Sequence, residues 1–252
     1  MRESDPVGVF DSGVGGISVL REMVSRLPKE NFIYFGDTRN APYGTKTPEE
    51  VREKVWAVVR QLLDENIKAL VIACNTATSA AAAVLRSSLD IPVIGMEPAL
   101  KPAQQLRRGG AILVLATPLT LREEKFERLM EKYGQGAVKV ACPGLMELVE
   151  AGEKEEAGRY LRELFGGYDM DRVDAVVLGC THYVFLRDMI KEMIPERTAI
   201  TDGNEGTARQ LGRVMRERGC LRTEGEGSVT LRTSGTEKDL RMMERLLRDG
   251  FT

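Results

Sequence analysis

The chain has 252 residues, 42% of them hydrophobic, which supplies a core for one large domain or two small ones. Lys+Arg 36 against Asp+Glu 38 leaves a formal charge of -2, which excludes a general polycationic grip on nucleic acid. Four cysteines (74, 142, 180 and 220) are too few for a disulfide scaffold. With the lone His182 they match no zinc spacing, so no metal is expected, and free thiols point to the cytoplasm.

Residues 1–10 are partly acidic and interrupted by Pro6, and do not read as a signal peptide. The apolar run 7–10 reads as a strand, followed by the glycine loop Asp11-Ser-Gly-Val-Gly-Gly16. That loop lacks both the G-x-G-x-x-G spacing and a P-loop lysine. It reads as a tight turn presenting Asp11 and Ser12, not as a nucleotide cradle. Further runs at 32–35, 70–73, 93–94, 112–115, 138–141, 175–178 and 199–200 alternate with helical patterns such as 48–65 and 122–133. The longest small-apolar stretch, 69–85, is broken by Asn75, Thr76, Thr78 and Ser79, so no membrane span is expected. Strand–helix alternation of this kind predicts an α/β fold with mostly parallel sheets covered by helices.

The spacing repeats. Asp11 lies 63 positions before Cys74 (74 − 11), and Thr117, after the fifth run, lies 63 before Cys180 (180 − 117). The shift of 106 (180 − 74) also brings Phe35 onto Ala141 and Ile94 onto Ile200. Two pseudo-symmetric α/β domains follow: 1–97 plus 208–252, and 98–207. The tail 225–252 lies outside the repeat, with a strand at 228–233 and a helix at 238–248 expected to return to the first half. Ligands of open α/β sheets bind beyond the carboxyl ends of the strands, so an active site is expected in the cleft between the domains.

Two cysteines stand at such ends, in Ala-Cys74-Asn-Thr-Ala and Gly-Cys180-Thr-His-Tyr. Asn75 and Thr76 in one, and Thr181 in the other, are placed to cap a following helix. Its N-terminal N–H groups would hold a substrate carboxylate and favour thiolate over thiol. Cys142 and Cys220 lack this setting and read as structural. Two thiols 106 residues apart are not a redox pair. One thiolate and one thiol on opposite faces of a carbon can remove a proton and return another, which is stereoinversion.

At this point the chain resembles the cofactor-independent aspartate/glutamate racemase family. The resemblance rests on Val9-Phe-Asp-Ser-Gly-Val-Gly-Gly16, Tyr34-Phe-Gly-Asp-Thr38, Ala41-Pro-Tyr-Gly44, Cys74-Asn-Thr76, Ile91-Pro-Val-Ile-Gly95 and Cys180-Thr-His-Tyr183. It implies interconversion of L- and D-glutamate for peptidoglycan, without any cofactor, by a protein that forms homodimers. Cys74 resembles the thiol acting on the D-enantiomer and Cys180 the one acting on the L-enantiomer, assisted by Asp11 and His182 respectively. Ser12, Asn75, Thr76 and Thr181 resemble the residues around the α-carboxylate and amino groups, and Thr117, just after the fifth run, is a further substrate-binding candidate. Pro42, Tyr43 and Gly44 resemble the segment at the side-chain carboxylate. The acidic residue after the family's Cys-Pro segment corresponds to Glu150, with Glu147 as the alternative. The chain departs from the family pattern at Met146-Glu147, at Val184-Phe185, and at a shortened Gly95-Met-Glu-Pro98 near the expected hinge. Rival readings are an aspartate racemase, a non-catalytic amino-acid binder and a one-cysteine decarboxylase.

Overall fold

Apolar runs without polar alternation suit strands buried on both faces, and such strands form the centres of two all-parallel sheets here. The computed structural model describes residues 2–250, so the last two residues of the expected first domain and tail lie outside the described residues. The chain divides into two compact units, one of residues 2–97 and Asn204–Gly250, the other Pro98–Gly203.

The first unit runs β1 (Val7–Asp11), α1 (Ile17–Arg26), β2 (Asn31–Gly36), α2 (Pro48–Leu63), β3 (Ala69–Ile72), α3 (Asn75–Ser88) and β4 (Val93–Gly95). The second contributes α4 (Leu100–Leu106), β5 (Ala111–Ala116), α5 (Glu124–Tyr133), β6 (Ala137–Ala141), α6 (Leu145–Ala151), α7 (Lys154–Gly166), β7 (Val173–Leu178), α8 (Arg187–Met193) and β8 (Ala199–Asp202). The chain then returns to the first unit with α9 (Asn204–Glu217), β9 (Ser228–Thr233) and α10 (Glu237–Asp249).

Local signals set these elements. α2 starts on a capping box: Thr47 Oγ1 accepts the Glu50 N–H at 3.2 Å, and Glu50 Oε2 accepts the Thr47 N–H at 2.8 Å. Pro48 occupies the first helical position, where no N–H is needed. Its apolar stripe of Val51, Val55, Val58, Val59 and Leu62 is fully buried, each side chain stabilising by roughly 1.5–3 kcal/mol over exposure. A buried ion pair joins Lys68 Nζ to Glu30 Oε2 at 2.6 Å, and Glu30 Oε1 accepts the Arg222 N–H at 2.7 Å. The segment leading into β9 is thereby tied to the start of β2.

The strand order is β4-β3-β1-β2-β9 in the first sheet and β6-β5-β7-β8 in the second. Reversed, the second reads β8-β7-β5-β6, the order of the first four strands, with β9 added at the β2 edge. The repeat expected from spacing is therefore present in the topology. Register adds a correction. Phe10 stands opposite Ile72, but Leu115 stands opposite Leu178. The separations are 62 (72 − 10) and 63 (178 − 115), so the halves are out of step by one residue. Backbone bonds agree: Ala73 N–H donates to Phe10 O, and Gly179 N–H to Leu115 O. With Cys74 set on Cys180, the residue at the place of Asp11 is Ala116, and Thr117 is one further on.

Candidate active site

In the first unit, β1 and β3 lie side by side and deliver Asp11 and Cys74 to the same sheet edge. Asp11 is 1% exposed, and its Oδ1 accepts the Gly13 N–H at 2.8 Å, which turns the loop back on itself. Tyr34, from β2, donates its hydroxyl to Gly13 O at 2.8 Å and fixes the far side of that turn. Glycine is required at Gly16, where a Cβ would stand 2.6 Å from Asp11 Cβ. The loop is a tight turn presenting Asp11 and Ser12, as its composition predicts.

Cys74 itself is the N-cap of α3: its sulfur accepts the Ala77 N–H at 3.4 Å, and Ser12 Oγ lies 3.4 Å from it. Asn75 is therefore the first helical residue and not the cap that sequence suggests. Thr78, one turn on, donates to Ile72 O at 3.1 Å and accepts the Met96 N–H at 3.2 Å, locking the helix start to β3 and the end of β4. The expected preference for thiolate fails at this cysteine. Burial, then the nearby Asp11 charge, push the Cys74 thiol up to about 12 from an ordinary 9.0. Bonds from Ser12 and Ala77 pull the other way and lose, because desolvating a charge outweighs two weak donors to sulfur. At rest Cys74 is a thiol.

Thr76 is buried beside this cysteine, and Asn75 is half-buried. The loop after β2 carries Pro42, Tyr43 and Gly44. Pro42 O accepts from Thr45 Oγ1 at 3.2 Å and Lys46 Nζ at 3.3 Å. Tyr43 is 1% exposed and packs its ring against Phe10, with centroids 6.1 Å apart. Its hydroxyl donates to Asp37 Oδ2 at 2.6 Å. Burial, that bond, and the charges of Asp37, Cys74 and Asp11 raise the phenol far above its usual value, so it keeps its proton.

In the second unit Cys180 follows β7, and a 3-10 turn, Thr181–Leu186, intervenes before α8. Val184 and Phe185 fall inside that turn, so the departure from the family pattern coincides with a delayed helix start. Cys180 has no capping bond, unlike Cys74. Its sulfur lies 3.6 Å from His182 Nδ1, and His182 Nε2 lies 3.0 Å from Glu150 Oε1. The imidazole is 3% exposed. Burial alone would lower its pKa, but bonds to Cys180 and Glu150, with their charges, hold it well above 6.5. These bonds favour the protonated imidazole beside the Cys180 sulfur.

Glu150 reaches His182 because α6 begins at Gly144 in a left-handed conformation (φ 81) and places positions 145 and 149 inward. Glu150 is half-buried beside them, whereas Glu147 is exposed. Thr181 is 5% exposed next to the cysteine. Thr117 caps its own turn: its Oγ1 accepts the Thr120 N–H at 3.3 Å and lies 3.0 Å from Thr120 Oγ1. No direct bond links it to the Cys180–His182–Glu150 chain. Cys142 and Cys220 are buried free thiols, and burial followed by the neighbouring Cys180 pushes Cys142 up to about 12.

Sequence reasoning passed over Asp37, although it lies within a quoted motif. Its signal was available: it directly follows β2, the strand beside β1, and its N–H donates to Asp11 O, at the end of β1, at 3.0 Å.

A model of the Asp/Glu/Hydantoin racemase family matches residues 7–211. The chain is 49% identical over 257 residues to a glutamate racemase of Bifidobacterium adolescentis, an alignment spanning 99% of this chain and 100% of that one. It is 32% identical to a glutamate racemase isoform of Bacillus anthracis, with a TM-score of 0.86 over 97% of this chain and 94% of that one. Escherichia coli glutamate racemase, solved with L-glutamate and the activator UDP-MurNAc-ala, is 29% identical with a TM-score of 0.81 over 95% of this chain and 94% of that one. With the family match spanning most of the chain, and glutamate racemase relatives of this identity and coverage, this chain belongs to the Asp/Glu/Hydantoin racemase family.

Proposed function

We infer that this chain catalyses the interconversion of L- and D-glutamate, supplying D-glutamate for peptidoglycan. The observation that carries the reading is the full-length 49% identity to a glutamate racemase, joined to two strand-end cysteines with different assistants. In the proposed reaction, Cys74 acts on the D-enantiomer. It takes the α-proton as its own thiol proton passes to Asp11, and Cys180 delivers its proton to the opposite face. The product is the L-enantiomer, with Cys74 carrying the α-proton, Asp11 holding the former thiol proton and Cys180 left as a thiolate beside His182. The reverse turnover starts from that state. Ser12, Asn75, Thr76, Thr117 and Thr181 are proposed to hold the α-carboxylate and amino groups, since preorganised donors stabilise the charge that develops on the carbanion. Pro42, Tyr43 and Gly44 are proposed for the side-chain carboxylate.

The buried free thiols suit a reducing cytoplasm, the proposed compartment. A homodimer is proposed from the family, and sedimentation at working concentration would read it.

The test uses pure enantiomers of glutamate and aspartate in deuterated water, with the natural chain, Cys74→Ala and Cys180→Ala. Loss of optical rotation with deuterium at the α-carbon is expected for glutamate, and neither variant should racemise. Full racemisation by Cys180→Ala would sink the two-thiol reaction. Preference for aspartate would overturn the substrate.

A further inference from the structure

The carboxylate of Asp37 is 1% exposed and carries hydrogen bonds from three side chains. Oδ1 accepts from Ser234 Oγ at 2.5 Å and Asn40 Nδ2 at 2.9 Å. Oδ2 accepts from Tyr43 OH at 2.6 Å and Asn40 Nδ2 at 3.0 Å. Lys54 Nζ extends the network from α2 by donating to Asn40 Oδ1 at 3.1 Å. Such bonds are what a carboxylate needs to remain charged when buried. They also hold the loop 38–45. Its short 3-10 turns, Thr38–Asn40 and Tyr43–Thr45, have little backbone pairing of their own.

The other end of the clamp comes from the tail. Ser234 N–H donates to Gly36 O at 3.2 Å, and Ser234 Oγ accepts the Arg39 N–H at 3.2 Å. Thr233 Oγ1 lies 2.8 Å from Thr38 Oγ1. Among the described residues, the second unit has no such device. Cys142 stands at the place of Asp37, its N–H on Ala116 O as that of Asp37 is on Asp11 O. There a backbone carbonyl, Cys142 O, receives the Tyr183 hydroxyl at 3.1 Å. The carboxylate clamp is confined to the unit with the extra strand β9.

We propose that Ser234 and Asp37 are positioning residues: through the Ser234–Asp37–Tyr43 chain, the appended strand sets the 42–44 segment that receives the substrate's side-chain carboxylate. The proposal rests on the glutamate reading above for the identity of that group, but not for the clamp itself. A serine 197 residues from its partner thereby becomes a determinant of side-chain recognition. Both enantiomers place the same side chain in this segment, so the two directions of reaction should feel its loss alike.

The experiment compares the full chain with Ser234→Ala, and with Ser234→Thr, which keeps the hydroxyl. Steady-state kinetics are measured with D- and L-glutamate, alongside amide hydrogen exchange over 38–46. In Ser234→Ala, KM should rise about five- to tenfold for both enantiomers with kcat within about twofold, the size expected for one charge-assisted hydrogen bond. Exchange should quicken in 38–46 and not in β1 or β3, and Ser234→Thr should restore both readings. Unchanged KM, or kcat falling at constant KM, would overturn the proposal. So would faster exchange across the whole unit, which marks a general stabiliser. If the natural chain does not racemise glutamate, the function fails separately, and selective loop exchange still supports the clamp.

Discussion

Asp11→Asn should make Cys74 more reactive while making the enzyme slower. The Cys74 thiol stands at about 12 against an ordinary 9.0, with burial the larger cause and the Asp11 charge the second. An amide of the same shape removes the charge and leaves the burial. The midpoint should therefore fall by about 1–2 pH, equivalent to roughly 1.4–2.7 kcal/mol, and stay above 9.0. The assay is the pH dependence of iodoacetamide alkylation, with Cys142, Cys180 and Cys220 replaced by serine so that Cys74 alone responds. Between pH 8 and 10 the thiolate fraction, and with it the alkylation rate, should rise about ten- to a hundredfold. Racemisation starting from D-glutamate should move the other way in the four-cysteine background, because the carboxylate proposed to receive the thiol proton is gone. Opposite signs in the two assays distinguish a proton acceptor from an inhibitory neighbour. A midpoint that stays put or climbs would refute the electrostatic account, and unimpaired racemisation would remove Asp11 from the reaction.

Glu150→Gln should lower the His182 midpoint towards 6.5, read as one imidazole resonance because the chain has a single histidine; an unmoved midpoint would refute the relay. The sign for stability follows from a folded pKa above the unfolded one. The His182–Glu150 contribution is full below about pH 6.5 and is lost as pH rises through the raised value, so the variant should lose more stability at pH 6 than at alkaline pH. Lys68→Met leaves the Glu30 carboxylate buried at 2% exposure without its cation and should cost about 3–5 kcal/mol in urea unfolding. A loss under about 1 kcal/mol would show that the pair is dispensable.

The central strands were legible because residues buried on both faces leave uninterrupted apolar runs; 228–233 was located to the residue by its alternation of polar and apolar residues, as suits an edge strand. The cysteines were legible as a pair because each follows a corresponding strand, β3 and β7, and is followed by polar residues. The one-residue slip was not. Equal spacing along the chain cannot distinguish residues within a strand from residues in the turn after it, and Thr117 was aligned with Asp11 for that reason. The protonation of Cys74 was also out of reach. Helix polarity is a local property and readable, whereas the desolvation that defeats it depends on everything packed around the sulfur. Glu147 and Glu150 were separable only once the inward face of α6 was known. Asp37 lay in plain view, but its partner Ser234 belongs to a segment that no periodicity connects to it.

The order of strands also has a consequence in time. The second unit is one continuous stretch, Pro98–Gly203, and its sheet can close as soon as that stretch has left the ribosome. The first unit cannot finish: the outer edge of β2 waits unpaired until Ser228–Thr233 is made. At 5–20 residues per second that delay is roughly 10–40 s. A nascent chain stalled near residue 225 would already carry both thiols while lacking the serine that sets its specificity loop. It would also expose a strand edge open to a neighbouring nascent chain, so premature termination there should yield aggregates and not a sluggish enzyme.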